Sequence, residues 1–241
     1  MRTENRQLMT DNSTMPTPLV IAIDGPAGAG KSTVAQKVAA RLGLAYVDSG
    51  ATYRAMALKA LQSGIAPDDE AAVAKLVAQT DIRITMDGLQ FRVFVDGEDA
   101  TDKIRTPEVT LASAKVSRLP EVRAKLVAVQ RLCAVGRGVV MEGRDIGTVV
   151  FPDASLKIFL RADPVERARR RLKQDSKTGR SATLKQTADE IALRDQLDAQ
   201  RKISPLVAAP DAVMIDSTHL AADQVVEQIV ELVRKKELAE P

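Results

Sequence analysis

The chain of 241 residues carries a net charge of +3, and 45% of its residues are hydrophobic, which suffices for one α/β domain or for a core with a small inserted domain. No apolar run approaches the roughly 20 residues of a membrane span, and aromatic residues at 2% disfavour a stacked-ring platform for single-stranded nucleic acid. The one cysteine, Cys133, excludes an intrachain disulfide and is expected to be buried filler in a cytoplasmic protein. The one histidine, His219, leaves little material for a histidine metal cluster.

Residues 1–17 are polar and contain no apolar segment of the kind that signal peptides carry, so we expect a disordered leader. Met15 lies just before the first apolar run, and initiation there would lose nothing that the fold needs. The first strand is predicted at residues 19–23.

A glycine-rich loop follows that strand and reads GPAGAGKS from Gly25 to Ser32, which fits the P-loop pattern of a triphosphate site. Backbone N–H groups of such a loop wrap the phosphates, Lys31 reaches the β- and γ-phosphates, and the Ser32 hydroxyl is placed to ligate Mg²⁺. The alternative is a glycine-rich turn with a solvated lysine. The residues predicted to bind ATP here are Gly25, Pro26, Ala27, Gly28, Ala29, Gly30, Lys31, Ser32 and Thr33.

A second strand at residues 44–47 ends in Asp48, and a helix predicted from about Ala51 carries Arg54 in its first turn. Because open α/β sheets hold ligands where a strand ends and a helix begins, Arg54 is placed to meet an anion. The alternative is an ion pair between Arg54 and Asp48.

From about residue 63 the pattern changes to alternating apolar and polar residues, with Ile82, Ile84 and Met86 in one run. Asp87-Gly88 favours a type I′ turn into a second strand, and Asp96-Gly97 favours another turn and a short third strand. This antiparallel unit predicts an insertion into the core at residues 63–110.

After the insertion, a helix predicted at residues 120–133 carries Arg123. A buried strand at residues 138–141 follows and is succeeded by Glu142, Arg144 and Asp145. An acid directly after a buried strand, in a chain that has a P-loop, is a candidate to organise Mg²⁺. The alternative is a simple ion pair between Glu142 and Arg144 in a loop.

The C-terminal part begins with a strand at residues 156–160 and a helix whose start, Asp163 to Glu166, predicts a capping box. A polar connector at residues 173–180 separates this arginine-rich helix from a second one, capped at Thr183 or Thr187, as in a closing lid. On the second helix three charged residues are predicted on one face, with a solvated stripe as the alternative: Arg194, Asp198 and Arg201. A fifth strand at residues 213–215 and a helix through Val233 complete the chain.

Five apolar strands interleaved with helices predict an α/β fold of the P-loop NTPase type, a parallel sheet covered by helices on both faces. A triphosphate does not need all five arginines that come from separate elements, and a second anionic ligand in line with the γ-phosphate would explain the excess. They are Arg54, Arg123, Arg144, Arg194 and Arg201. No catalytic base is evident, which favours a phosphate acceptor, and so a nucleotide kinase over a sugar kinase.

Four segments make the chain resemble the bacterial cytidylate kinases: GPAGAGKST, DSGATYRA at 48–55, EGRDIGTVVFPDA at 142–154 and ALRDQLDAQRKISPL at 192–206. The resemblance implies transfer of the γ-phosphate of ATP to CMP or dCMP with Mg²⁺. It also implies a core at residues 18–62 and 111–241, a lid at about 165–203, and a monophosphate-binding unit at 63–110. Another small-acceptor kinase, for adenylate or shikimate, or a nucleic-acid-stimulated ATPase, remains as an alternative.

The resemblance also assigns roles to residues of this chain. Lys31, Arg144 and Arg201 would be catalytic, Ser32 and Glu142 would hold the metal, and Arg167 to Arg171 would close the lid over ATP. CMP would be bound by Ser49, Tyr53, Arg54, Ser113, Arg123, Arg144, Asp145, Arg194, Asp198 and Arg201, with Asp145 and Arg123 reading cytosine. The family often has a serine where this chain has Ala114, so Ser113 would substitute or Asp145 and Arg123 would carry more of the recognition. A monomer without nucleic-acid or membrane partners is expected.

Overall fold

The computed structural model describes residues 18–87, 90–177 and 182–238. Within them the strands are β1 (Val20–Asp24), β2 (Ala45–Asp48), β3 (Ile82–Asp87), β4 (Gln90–Val95), β5 (Glu98–Asp99), β6 (Val139–Gly143), β7 (Leu156–Arg161) and β8 (Val213–Asp216). The α-helices are α1 (Lys31–Leu42), α2 (Ser49–Gln62), α3 (Glu70–Gln79), α4 (Pro107–Val116), α5 (Pro120–Leu132), α6 (Pro164–Lys177), α7 (Leu184–Ala199) and α8 (Ala222–Glu237). A 3₁₀ turn spans Lys103–Arg105, and a π-helical turn spans Ile146–Val150.

The main sheet has five parallel strands in the order β2-β6-β1-β7-β8, which confirms the predicted fold class. Its central strand is buried on both faces: Ile21 and Ile23 pack into a cluster with α1 and α8, while Ala22 packs into a second cluster on the opposite face. Strand register brings Asp24 beside Gly143 and Asp48 beside Glu142. The carboxyl ends of three strands thus carry acids at one edge, where open α/β sheets hold ligands.

The predicted hairpin is confirmed as the antiparallel pair β3 and β4, with Ile84 opposite Val93, and the short strand β5 pairs with β4. Asp96 and Gly97 both have positive φ, 50° and 87°, as a type I′ turn between strands requires. This sheet shares one apolar core with α2, α3, α4 and α5. A unit boundary at residue 110 falls inside α4, and the division of the chain into core, insertion and lid stays a prediction.

Three predictions touch residues outside the described ranges: the leader at residues 1–17, the turn at Asp87-Gly88 and the end of the polar connector. The rest of the connector was predicted wrongly, because α6 continues as helix through Lys177. Arg171 Nε lies 3.1 Å from Asp175 Oδ1 one helical turn later, and such pairs support helix in a polar sequence.

The start of α6 confirms one prediction and corrects another. Asp163 Oδ1 accepts hydrogen bonds from the backbone N–H groups of Val165 and Glu166, at 2.8 and 3.3 Å. The reciprocal half of the capping box is absent among the described residues, because the Asp163 N–H donates to Thr218 Oγ1 and Glu166 pairs with Arg170 instead.

Helix α7 is capped by Thr183, which forms a full capping box with Gln186. It ends at Ala199, so Arg201 is not on the helix as predicted, although its guanidinium still contacts Asp198. Across the three described ranges, no helix combines the length and apolar character needed to cross a membrane.

Candidate active site

The loop between β1 and α1 has the backbone that the P-loop pattern predicts. Gly28 and Gly30 have φ values of 75° and 95°, which favour glycine. A Cβ atom at Gly25 would lie 2.0 Å from the Leu160 carbonyl oxygen, and one at Gly28 would lie 2.8 Å from the Arg167 carbonyl oxygen. Only glycine therefore fits at both positions without moving the neighbouring backbone.

Lys31 is the first residue of α1 and lies folded over this loop, where its Nζ donates to the Pro26 carbonyl oxygen at 2.7 Å. Burial, and then the nearby charge of Arg144, lower the pKa of Lys31 to about 7. Because burial destabilises the charged form of Lys31, an anion bound next to it would stabilise that form strongly.

The two residues predicted to hold a metal lie side by side at the carboxyl edge of the sheet. Tyr46 Oη donates to Glu142 Oε1 at 2.7 Å, and the Ser32 hydroxyl lies close enough to this carboxylate to act against the rise of its pKa. Burial, and then the charge of Asp48, raise the pKa of Glu142. A hydroxyl and a carboxylate are oxygen donors of the kind that Mg²⁺ prefers, so this pair fits the ion.

Asp198 is the centre of an arginine cluster that three elements build. Its Oδ2 accepts from Arg144 Nε at 2.7 Å, and its Oδ1 contacts Arg201. Burial opposes its charge, but Arg144 and Arg201 outweigh burial and lower the pKa of Asp198. The alternative ion pair between Arg144 and Glu142 is not what the structure has, since Arg144 bonds Asp198 instead.

Arg194 adds a third guanidinium to this cluster. Burial, and then the charge of Arg144, lower its pKa to about 10. Within the described residues its buried Nε has no hydrogen-bond partner, and neither has the Nε of Arg201. One carboxylate thus faces three guanidinium groups, two of which keep a buried Nε unused, and this is the composition of an anion site.

Arg54 forms the ion pair that the sequence left as an alternative, with Nη2 at 2.6 Å from Asp48 Oδ2. Asp48 also caps α2 through the backbone N–H of Ala51, at 3.2 Å. Both side chains are largely buried, so this carboxylate fixes Arg54 at the start of α2 rather than leaving it free in solvent.

Arg123 and Asp145, the predicted cytosine pair, form a buried ion pair. Arg123 Nε also donates to Ser204 Oγ at 3.0 Å, and its guanidinium carbon lies 5.3 Å from the centre of the Tyr53 ring. Burial raises the pKa of Asp145, against the opposing effect of Arg123. The buried Tyr53 hydroxyl has no partner within the described part of the chain.

The two predicted serines contact backbone rather than this pair. Ser49 Oγ donates to the Glu142 carbonyl oxygen at 2.6 Å and so joins α2 to β6. Ser113 Oγ donates to the Thr110 carbonyl oxygen of its own helix at 2.7 Å, and among the described residues no hydrogen bond joins it to Arg123 or Asp145.

The predicted lid arginines differ in what they reach. Arg167 Nη1 donates to the Ala27 carbonyl oxygen of the P-loop at 2.9 Å and pairs with Asp195 of α7. Arg171 pairs with Asp175 of its own helix, and within the described residues no hydrogen bond or ion pair joins it to the loop.

The assembled geometry is a phosphate-binding loop beside an arginine cluster, and a family model described as cytidylate kinase matches residues 21–235. The chain belongs to the cytidylate kinase family. It is 50% identical over 211 residues to a cytidylate kinase of Pelotomaculum thermopropionicum, which covers 87% of this chain and 93% of that protein. A cytidylate kinase of Caldicellulosiruptor bescii is 48% identical over 216 residues, 89% of this chain and 95% of that protein.

Two acids of this cytidylate kinase family member take part in the site although the sequence analysis did not single them out. Asp195 Oδ1 accepts from the Ala27 N–H of the P-loop at 3.1 Å. Asp24, the last residue of β1, accepts from the Ile146 and Gly147 N–H groups at 2.9 and 2.8 Å. The available signal was position: Asp195 follows Arg194, and Asp24 directly precedes Gly25.

Proposed function

We infer that this protein transfers the γ-phosphate of ATP to CMP or dCMP, giving ADP and CDP or dCDP. Family membership supports this reaction, and the observation that carries it is the surplus of buried guanidinium groups around Asp198. A triphosphate in the P-loop is already served by backbone N–H groups and Lys31, so the surplus calls for a second phosphate.

The donor phosphates would be held by backbone N–H groups from Gly25 to Lys31 and by the positive end of α1. Lys31 would exchange its contact with the Pro26 carbonyl for the β- and γ-phosphate oxygens. Ser32 and Glu142 would hold Mg²⁺, which would offset the negative charge of the phosphates.

The acceptor phosphate would lie among Arg144, Arg194 and Arg201, with Arg54 fixed nearby by Asp48. Arg144 exerts the largest charge effect on Lys31, which supports a close approach of the donor and acceptor sides. An oxygen of the acceptor phosphate attacks the γ-phosphorus while the bond to the β–γ bridging oxygen breaks. The acceptor is already an anion, so alignment and charge neutralisation suffice without a base.

Asp145 would select the base. Cytosine presents an exocyclic amine that donates to a carboxylate, whereas uracil presents a carbonyl oxygen that a carboxylate repels. Arg123 would hold Asp145 in place through their buried ion pair. Asp198 would also meet the sugar hydroxyls of the acceptor.

One assay tests the proposal against its alternatives. ADP release with ATP and Mg²⁺ is measured for CMP, dCMP, UMP, AMP and shikimate as acceptors, and with RNA or DNA in place of an acceptor. We expect the highest kcat/KM with CMP and dCMP. Best activity with AMP or shikimate, or hydrolysis that needs nucleic acid, would overturn it. A monomer in size-exclusion chromatography with light scattering is the expected oligomeric state.

A further inference from the structure

Asp24 lies between the donor loop and the segment that carries the candidate cytosine reader. It is the last residue of β1 and is followed at once by Gly25 of the P-loop. Its side chain points across to the π-helical turn at Ile146–Val150, which begins immediately after Asp145. It is 4% exposed, so neither of its carboxylate oxygens is placed for bulk water.

Both oxygens of Asp24 are used on this turn. Oδ1 accepts from the Ile146 N–H at 2.9 Å, and Oδ2 accepts from the Gly147 N–H at 2.8 Å. These two N–H groups lie at the start of the turn, where no carbonyl group of the turn can accept from them. The carboxylate of Asp24 accepts from them instead, as a capping side chain does at the start of a helix. An added Cβ atom at Gly147 would lie 3.1 Å from the Lys157 side chain, so the turn packs closely against β7.

The opposite end of the turn is held by a positive charge. Arg131 of α5 donates from Nε to the Val150 carbonyl oxygen at 2.9 Å and from Nη2 to the Val149 carbonyl oxygen at 2.8 Å. An anion at the N–H end and a cation at the carbonyl end match the polarity of a helical turn. The turn is therefore clamped at both ends, and Asp24 forms the clamp next to Asp145.

Electrostatics agrees with that position. Burial raises the pKa of Asp24 to about 6, its two backbone hydrogen bonds oppose the rise, and the charges of Asp145 and Lys31 act on it in opposite directions. One carboxylate is thus within reach of a donor-side cation and an acceptor-side anion.

We propose that Asp24 is a positioning residue that sets the direction of Asp145, and through it the preference for cytosine, by holding the backbone of the turn that follows. The proposal rests on the proposed function, because it concerns how CMP is told from UMP. Asp24 itself touches no substrate in this scheme, and the strand pairing of Asp24 with Gly143 holds β6 without the side chain.

The test is the isosteric variant Asp24→Asn, in which the amide nitrogen must face one of two N–H groups. We expect KM for CMP to rise about tenfold and the CMP/UMP ratio of kcat/KM to fall by a similar factor, while KM for ATP changes by less than about twofold. Asp69→Asn is the matched control, since Asp69 caps α3 through the Ala72 N–H at 3.0 Å on an exposed surface.

A double-mutant cycle with Asp145→Asn separates positioning from general damage. If Asp24 acts through Asp145, adding Asp24→Asn to Asp145→Asn changes the CMP/UMP ratio by less than about twofold. Independent, multiplying effects of the two substitutions, or a rise in KM for ATP equal to that for CMP, would overturn the proposal.

Hydrogen–deuterium exchange gives a readout that does not depend on activity. In Asp24→Asn we expect peptides covering residues 145–150 to exchange about tenfold faster, with α8 unchanged. Unchanged exchange there would refute the anchoring role even if the wild type phosphorylates CMP. Inactivity of the wild type on CMP, with faster exchange in the variant, would refute the proposed function and leave the anchoring role standing.

Discussion

The donor loop and the arginine cluster are both suited to phosphate, but they are built in opposite ways. The donor loop is a continuous run from Gly25 to Lys31, and the groups that it offers to a phosphate are mostly backbone N–H groups. The cluster takes side chains from the residue after β6, from α7 and from the segment after α7. Backbone amides carry no net charge, whereas each buried guanidinium group carries a positive charge that a carboxylate or a bound anion must balance.

Most arginines on the proposed acceptor side are paired with a carboxylate of the protein. Arg54 is paired with Asp48, Arg144 and Arg201 with Asp198, and Arg123 with Asp145. The acceptor side thus carries fixed counter-charges that hold its arginines in place, at the cost of part of their attraction for a ligand. Arg194, which has no ion pair of this kind among the described residues, and the Nε of Arg201 offer the donor capacity that remains.

Lys31→Ala is expected to have the largest effect, because it removes the one side-chain cation of the donor loop. We expect kcat to fall about 10³-fold, while CMP binding measured by calorimetry changes little. Lys37→Ala, on the exposed face of the same helix where Lys37 pairs with Asp223, is the control. Near-normal turnover of Lys31→Ala would contradict the donor mechanism.

Arg144→Ala tests the acceptor side and should have the next largest effect. It leaves Asp198 with one of its two ion-paired arginines and removes a proposed phosphate ligand, so we expect kcat/KM for CMP to fall about 10²-fold. KM for ATP should stay close to its wild-type value. Arg83→Ala, an exposed arginine paired with Asp81, serves as control, and an equal loss for both substrates would erase the distinction between the two sides.

The same contrast explains what the sequence could predict. The donor loop is contiguous, so its spacing alone identified it, and the β3–β4 hairpin followed from period-two alternation. The end of α6 was missed because residues 173–177 are polar, which suggested a connector. The helix continues there because this segment contains no glycine or proline and because Arg171 forms an ion pair with Asp175.

For the arginine cluster, the sequence predicted which residues take part but not how they pair. That Arg144 pairs with Asp198 rather than Glu142 depends on where α7 packs, and no local spacing encodes it. Asp24 and Asp195 were missed for the same reason: each accepts from a backbone N–H group more than a hundred residues away along the chain. Every residue except proline has a backbone N–H group, so a contact of this kind cannot be inferred from the residue types in the sequence.

Asp145→Asn sharpens the acceptor side further, from phosphate to base. The asparagine side chain can accept from the cytosine amine or donate to the uracil carbonyl, so the two bases become nearly equivalent. We expect the CMP/UMP ratio of kcat/KM to fall by at least about tenfold, with AMP still a poor acceptor. An unchanged ratio in the acceptor assay would remove Asp145 as the discriminating residue.

Gly28→Ala should have the smallest effect and returns to the donor loop. Its φ of 75° strains an alanine, and the added Cβ would lie 2.8 Å from the Arg167 carbonyl oxygen, so loop and α6 must separate. We expect KM for ATP to rise about tenfold with KM for CMP unchanged. Gly43→Ala is matched, because Gly43 has φ of 66° at the end of α1 but no atom within 4 Å of an added Cβ. It therefore carries the backbone strain alone and should lower the melting temperature without changing KM for ATP. If both variants weaken ATP equally, strain rather than the contact with α6 limits the loop.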